Sequence, residues 1–302
     1  MTARTEHPGR PTARALRRAL RREVPTTVGL LADEEDFTAM RAYRTFPFDD
    51  HTAYLRHTEA LIGRLATEGL HTDIALFDPV DYAWHCTDTG RDPDAPAHRA
   101  RYTASISAAG GAVLTYTGQP LDLLLPALAD TAVRRATHAY ATAVLADLGT
   151  CAACHQDIGG AALDHATALL HRLLERAGPG THHLVCSTPA GEDPLTAALT
   201  ADRTTATAPA ADWGATEFST VLAVSVALDT PAGLVMRTSA EGTPDRLRGW
   251  RLARGRLVPL SAAEVFNAYC TDAETGEPIG PEPGVDYRAG FELGPDMGEF
   301  GH

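Results

Sequence analysis

The sequence contains no lysine, because all 26 basic residues in its 302-residue chain are arginine. A P-loop needs a lysine to contact the nucleotide phosphates, and Schiff-base chemistry needs a lysine amine. Protein-kinase catalysis also depends on a lysine. We therefore exclude these three mechanisms.

Long apolar runs and several catalytic signatures are also missing. No stretch approaches the roughly 18 consecutive apolar residues of a membrane-spanning helix, so the sequence predicts no membrane span. The motifs GxSxG, HExxH and GxGxxG do not occur. Their absence argues against a hydrolase nucleophile elbow, a zincin site and a dinucleotide-binding loop.

Basic charge is scarce outside the first residues of the chain. The formal net charge is −13, but residues 1–23 carry seven arginines and two glutamates, a local charge of +5 that leaves about −18 for the rest. An acidic body repels nucleic acid phosphates and anionic lipids, so we expect neither as a partner of the main domain. The basic segment is either a solvated face or a docking surface for an acidic partner. No pattern indicates an oligomeric state.

Cysteine is also scarce, with five residues in the whole chain. In a chain of this size, free thiols or a metal site are more typical than a disulfide framework. The basic start resembles a signal peptide, but the apolar stretch at 28–32 is too short and runs into the acidic residues 33–36. We therefore predict a cytoplasmic protein.

Short apolar strands alternate with helical patterns in the first two thirds of the chain. Strands separated by helices indicate crossover connections, so we predict an α/β fold with a mainly parallel sheet flanked by helices. The predicted strands are 28–32, 71–77, 112–117 and 182–186.

The final third of the sequence changes character. Segments 218–228, 234–239, 247–253 and 256–260 are apolar or alternating and are separated by turn signals, which predicts an antiparallel β-meander extension. We divide the chain into a basic arm (1–24), an α/β domain (25–187), an irregular excursion (188–216), the antiparallel extension (217–269) and a Pro/Gly-rich tail (270–302).

Polar side chains follow the first three predicted strands. Ligands bind beyond the carboxyl ends of parallel strands, so we predict a ligand site formed by Asp33, Asp78 and Tyr116. The alternative is that each aspartate caps the helix that follows it. A separate aromatic segment, with the arginines at 41 and 44, either frames a ligand or packs into the core; its aromatic residues are Tyr43, Phe46 and Phe48.

The segment Cys151-Ala-Ala-Cys154-His155 concentrates reactive side chains. It precedes a helix leading to the strand with Cys186, so all four side chains should share one edge of the sheet. Cys151, Cys154 and Cys186 would then form a tetrahedral zinc site with His155, or with the segment His85-Cys86 in place of His155. The alternatives are inert thiols, a redox dithiol and covalent c-type haem, whose CxxCH motif is matched.

These patterns favour a small-molecule-binding or partner-binding protein with a regulatory role, since the strong catalytic signatures that we tested are missing. The alternative is an enzyme with a zinc or thiol site built around Cys151 and Cys154.

Overall fold

The computed structural model describes residues 26–190, 194–204, 213–272 and 275–294. The chain divides into two compact units, with the boundary between Arg135 and Ala136. The predicted basic arm lies outside the described residues. The predicted segment boundaries at 187, 216 and 269 stay predictions. The boundary between the two units falls inside the long helix Leu121–Asp147.

The N-terminal unit contains a three-stranded sheet. Its strands are β1 (Thr26–Leu30), β2 (Thr72–Leu76) and β3 (Val113–Thr115), in that spatial order. β1 pairs with β2 in parallel, and β2 pairs with β3 antiparallel. The helices are α1 (Glu34–Met40), α2 (His51–Thr67), α3 (Pro79–Thr89), α4 (Pro96–Ala108) and α5 (Leu121–Asp147), which continues past the unit boundary.

The core of this unit forms where the apolar strands meet one face of each helix. Leu30 and Ile74 on the strands are fully buried, as are Ile62 of α2, Tyr82 of α3 and Leu128 of α5. Removing these side chains from water drives the packing of the helices.

The C-terminal unit contains a six-stranded sheet. Its spatial order is β5-β4-β6-β7-β8, with β9 paired to β7. The strands are β4 (Thr181–Thr188), β5 (Leu195–Asp202), β6 (Ala232–Ser239), β7 (Asp245–Ala253), β8 (Arg256–Pro259) and β9 (Val285–Tyr287). The helices are α6 (Ile158–Ala177), α7 (Trp213–Leu228) and α8 (Ala262–Tyr269).

Helix α7 lies at the centre of this unit, in contact with α6 on one side and with β4 and β5 on the other. Its apolar residues are buried around the helix, because the four consecutive residues 221–224 point to different sides and all are fully buried. A segment after β9 completes the same core. There, Phe291 packs on Trp250 and accepts a 2.9 Å hydrogen bond from its indole Nε1.

The α/β class is confirmed, but the mainly parallel sheet is not. Among the strand pairings of the described residues, β1–β2 and β7–β9 are parallel and the other five are antiparallel. Two helices connect β1 to β2 and two connect β2 to β3, yet only the first connection joins parallel strands, so the alternation of helices and strands did not determine strand direction. The fourth predicted strand, which is β4, belongs to the second sheet.

The antiparallel meander is confirmed for β6, β7 and β8. Residues 218–228 were predicted as its first strand, but they form helix α7. Burial on all sides removes the periodicity that distinguishes a helix from a strand. Residues 195–202, predicted to be irregular, form β5, where alternation between small Ala and Thr side chains gives a weak strand signal.

None of the helices in the described part of the chain has the length and apolar character needed to cross a membrane.

The start of α6 packs closely against α5. A Cβ atom added at Gly159 would lie 2.5 Å from the carbonyl oxygen of Leu145 and 2.9 Å from its carbonyl carbon. These are backbone atoms, so relief would require a shift of a helix. This close approach therefore requires glycine at position 159.

We expect Gly159→Ala to lower the free energy of unfolding of the C-terminal unit by about 1–3 kcal/mol, the usual cost of overpacking. Gly63→Ala is the matched control, because this helical glycine has open space around its Cβ position. It should raise stability by about 0.5–1 kcal/mol through helix propensity. Urea unfolding measures both, and an unchanged or stabilised Gly159→Ala protein would contradict the close approach.

Candidate functional site

The parallel pairing of β1 and β2 brings two aspartates to one edge of the first sheet. Each strand is followed by a helix whose N-cap is an aspartate. Asp33 accepts a 2.8 Å hydrogen bond from the Asp36 backbone nitrogen, and Asp78 accepts bonds of 2.7 and 3.1 Å from the backbone nitrogens of Val80 and Asp81. Both aspartates therefore cap helices, as the alternative interpretation proposed.

A third carboxyl group, that of Asp36, lies among these caps. Burial, followed by the negative charges of Asp33, Asp78 and Glu35, raises the pKa of Asp36 to about 6. Its carboxyl group therefore exchanges a proton near neutral pH. The acidic run at 33–36 gave no sign of this proximity between α1 and α3, because it depends on the folded chain.

Tyr116 does not join the two aspartates. Because β3 is antiparallel to β2, its carboxyl end lies level with the beginning of β2. The Tyr116 backbone nitrogen accordingly donates a 2.8 Å hydrogen bond to the carbonyl of Thr72, the first residue of β2. The structure therefore separates the three residues predicted as one ligand site, because the third strand runs in the opposite direction.

A pocket of about 170 Å³ opens at the same strand edge as the two aspartates. Leu31 and Phe77, which follow β1 and β2, contribute to its wall, and helix residues complete it. The lining residues are Gly29, Leu31, Met40, Phe46, Tyr54, Phe77, Arg99, Ala100 and Thr103.

Aromatic side chains make up much of the pocket wall. The rings of Phe46 and Tyr54 lie with their centroids 5.9 Å apart. The Tyr54 hydroxyl accepts a 3.2 Å hydrogen bond from the Leu31 nitrogen and is 3.4 Å from the Gly29 carbonyl, which fixes the ring against β1. Burial raises the pKa of Tyr54, so this hydroxyl stays protonated at neutral pH.

Arg99 supplies a positive charge to the pocket. Its guanidinium donates a 2.8 Å hydrogen bond to Thr45 Oγ1 and longer bonds of 3.4 Å to the carbonyls of Thr45, Pro93 and Asp94. The Asp94 carboxylate instead bonds Arg44, at 3.0 Å. Among the residues that the structure describes, no carboxylate forms an ion pair with Arg99, so its contacts leave the charge uncompensated.

Sequence reasoning missed Arg99. Of the aromatic segment singled out beforehand, Phe46 lines the pocket. Arg99, by contrast, lies in an exposed-looking helical segment with no motif. Arg99 and Thr45 are 54 residues apart in the sequence, so their contact could not be predicted from a local pattern.

The four predicted zinc ligands are not gathered into one site. Cys186 is fully buried on the core face of β4, where burial raises the pKa of its thiol to about 12. Cys154 and His155 are exposed, and Cys151 is buried. Within the described ranges, no group of three or more His, Cys, Asp or Glu side chains is arranged to hold a metal ion. The Cys186 thiol faces the core, whereas Cys154 and His155 are exposed.

A protein-family model described as a domain of unknown function, DUF8829, matches residues 15–119. No curated protein and no solved structure matches the chain. The matched segment contains every residue that lines the pocket, together with the carboxyl groups of Asp33, Asp36 and Asp78. The pocket is thus a feature of the segment that this family describes.

The raised pKa of Asp36 predicts a pH dependence of stability. The folded state holds the Asp36 proton between about pH 4 and 6, where the unfolded chain has lost it, so this contribution is present at low pH and disappears as the pH rises through 6. Asp36→Asn should therefore gain stability relative to the wild type between pH 4 and pH 7. We expect up to about 1 kcal/mol, since the carboxyl group is partly solvated.

Urea unfolding of both proteins across this pH range measures the effect. Glu34→Gln is the matched control, because it removes an exposed charge from the same helical turn and loses only its interaction with the helix dipole. It should not stabilise the protein at pH 7. A constant difference between Asp36→Asn and the wild type from pH 4 to pH 7 would contradict the assignment.

Proposed function

We propose that the N-terminal unit binds a small molecule made of one apolar ring and one anionic group, and that the protein is a regulatory ligand-binding protein. The observation that carries this proposal is Arg99, which lines an aromatic pocket without a carboxylate partner in the described chain. The proposed ligand occupies the pocket at the carboxyl edge of β1 and β2.

The size of the pocket supports a ligand of about one ring. Its volume is about 170 Å³, and an engineered apolar cavity of about 150 Å³ is known to bind benzene. Leu31, Met40 and Phe77 offer apolar contact, while Phe46 and Tyr54 offer ring faces and edges. A planar apolar body suits this lining better than a sugar or a polar chain.

The charges at the site support one anionic group on the ligand. In the described part of the chain, Arg99 donates its hydrogen bonds to neutral carbonyl and hydroxyl oxygens. A guanidinium binds a carboxylate or phosphate strongly in partly buried surroundings. The carboxyl groups of Asp33, Asp36 and Asp78 carry the opposite sign at the same strand edge. They would repel an anionic group that did not lie against Arg99.

Titration calorimetry with benzoate, benzyl alcohol and benzylamine tests the proposal. The wild type should bind benzoate most tightly. Arg99→Met should weaken benzoate binding by about 10-fold to 100-fold, the value of a hydrogen bond to a charged group, and should affect benzyl alcohol little. Arg101→Met, a charge loss at an exposed position of the same helix, is the matched control and should bind benzoate like the wild type.

Arg99→Lys separates the role of the charge from that of the loop contacts. Lysine keeps the positive charge but lacks the planar fork of donors, so this variant should retain the preference for benzoate over benzyl alcohol. Thermal unfolding verifies that each variant remains folded. Equal wild-type affinity for benzoate and benzyl alcohol, or no binding of any probe at millimolar concentration, would overturn the proposal.

A further inference from the structure

The turn between α5 and α6 holds two cysteines in a closed loop. Thr150 and Asp157 form an isolated antiparallel bridge. Within it, the Cys151 nitrogen donates to the Gln156 carbonyl at 2.9 Å, and the Cys151 carbonyl accepts from the His155 nitrogen at 2.9 Å. Backbone hydrogen bonds therefore fix Cys151 and close the loop that contains Cys154.

The backbone of this loop is shaped around the sulfur atom of Cys151. His155 adopts a left-handed conformation with φ of 58°, which turns the chain back toward the start of the loop. The pKa of Cys151 is lowered, because the backbone of Cys154 and Ala153 and the Cys154 thiol stabilise its thiolate. The Cys154 sulfur also lies 4.0 Å from the side-chain oxygen of Gln156, inside the same loop.

The two sulfur atoms differ in accessibility. Cys154 is exposed, whereas Cys151 is only 9 % exposed. Cys86, Cys186 and Cys270 are buried elsewhere in the structure. The closed loop thus holds one accessible sulfur and, three residues earlier in the chain, one sheltered sulfur.

We propose that Cys151 and Cys154 form a thiol–disulfide exchange site for low-molecular-weight disulfides such as oxidised glutathione. The site lies in the C-terminal unit, so it is independent of the ligand pocket proposed above. Its two residues have separate roles, which follow from their different exposure.

The exchange proceeds in two steps. The Cys154 thiol gives its proton to solvent, and its thiolate attacks one sulfur of the external disulfide, breaks the S–S bond and releases a first thiolate, which takes up a proton. The Cys151 thiolate then attacks the Cys154 sulfur, breaks the mixed disulfide and releases a second thiolate, which also takes up a proton. The two cysteines are oxidised to one disulfide, and the external disulfide is reduced to two thiols.

A metal ion would require ligands beyond these two sulfurs, and the described residues do not provide a third His, Cys, Asp or Glu around them. Exchange with a small disulfide requires only the two thiols of Cys151 and Cys154. Metal content is nevertheless measured in the test below, because bound zinc would assign the sulfurs a different role.

The test treats the folded, full-length protein with oxidised glutathione, blocks remaining thiols by alkylation and locates disulfides by peptide mass spectrometry. We expect an intramolecular Cys151–Cys154 disulfide to be the main product. Cys151→Ser should instead accumulate a stable mixed disulfide with glutathione at Cys154. Cys154→Ser should lose most of the reaction, since its remaining sulfur in the loop is sheltered. Cys270→Ala is the matched control and should behave like the wild type.

Phenylarsine oxide, which binds two neighbouring thiols at once, provides a measurement on the wild type that does not depend on variants folding. It should protect both Cys151 and Cys154 from alkylation. The proposal is overturned if the wild type accumulates the glutathione adduct at Cys154 without forming the intramolecular disulfide. It is also overturned if neither cysteine reacts, or if the purified protein holds zinc through both sulfurs.

Discussion

The parallel pairing of β1 with β2 is the constraint on which the N-terminal site depends. It brings the carboxyl ends of the two strands to the same edge, so that α1 and α3 begin side by side and their capping aspartates lie around Asp36. The same pairing places Leu31 and Phe77 together in the pocket wall. Had β1 and β2 been antiparallel, Leu31 and Asp33 would lie at one end of the sheet. Phe77 and Asp78 would lie at the other end.

The side chain of Arg99 adds a structural role to its charge. By donating to Thr45 Oγ1 and to the carbonyls of Pro93 and Asp94, it links the segment after α1 with the loop before α4. A guanidinium suits this task because its donors are arranged in a rigid fork and its charge does not depend on pH in the physiological range. The guanidinium that we propose as the anion-binding group therefore also holds these two segments together.

Local patterns in the sequence predicted part of this arrangement. Capping by Asp33 and Asp78 follows from their positions before helical segments, and the meander of β6, β7 and β8 follows from alternation and turn residues. Contacts between residues distant in sequence determine three other features. These are the direction of β3, the helical state of α7 and the face of β4 on which Cys186 lies. Asp36 and Arg99 could not be identified for the same reason, because their surroundings come from elements that only the folded chain brings together.

The late segments of the chain have a consequence for synthesis. β9 pairs with β7 about forty residues upstream, and Phe291 covers the buried ring of Trp250 while accepting its indole hydrogen bond. Until residues 285–291 have been synthesised, β7 lacks its partner β9 and the indole nitrogen of Trp250 lacks its hydrogen-bond acceptor. The N-terminal unit needs no such delay, since all of its strands precede residue 116. All strands of the first sheet are therefore synthesised before the last strand of the second sheet.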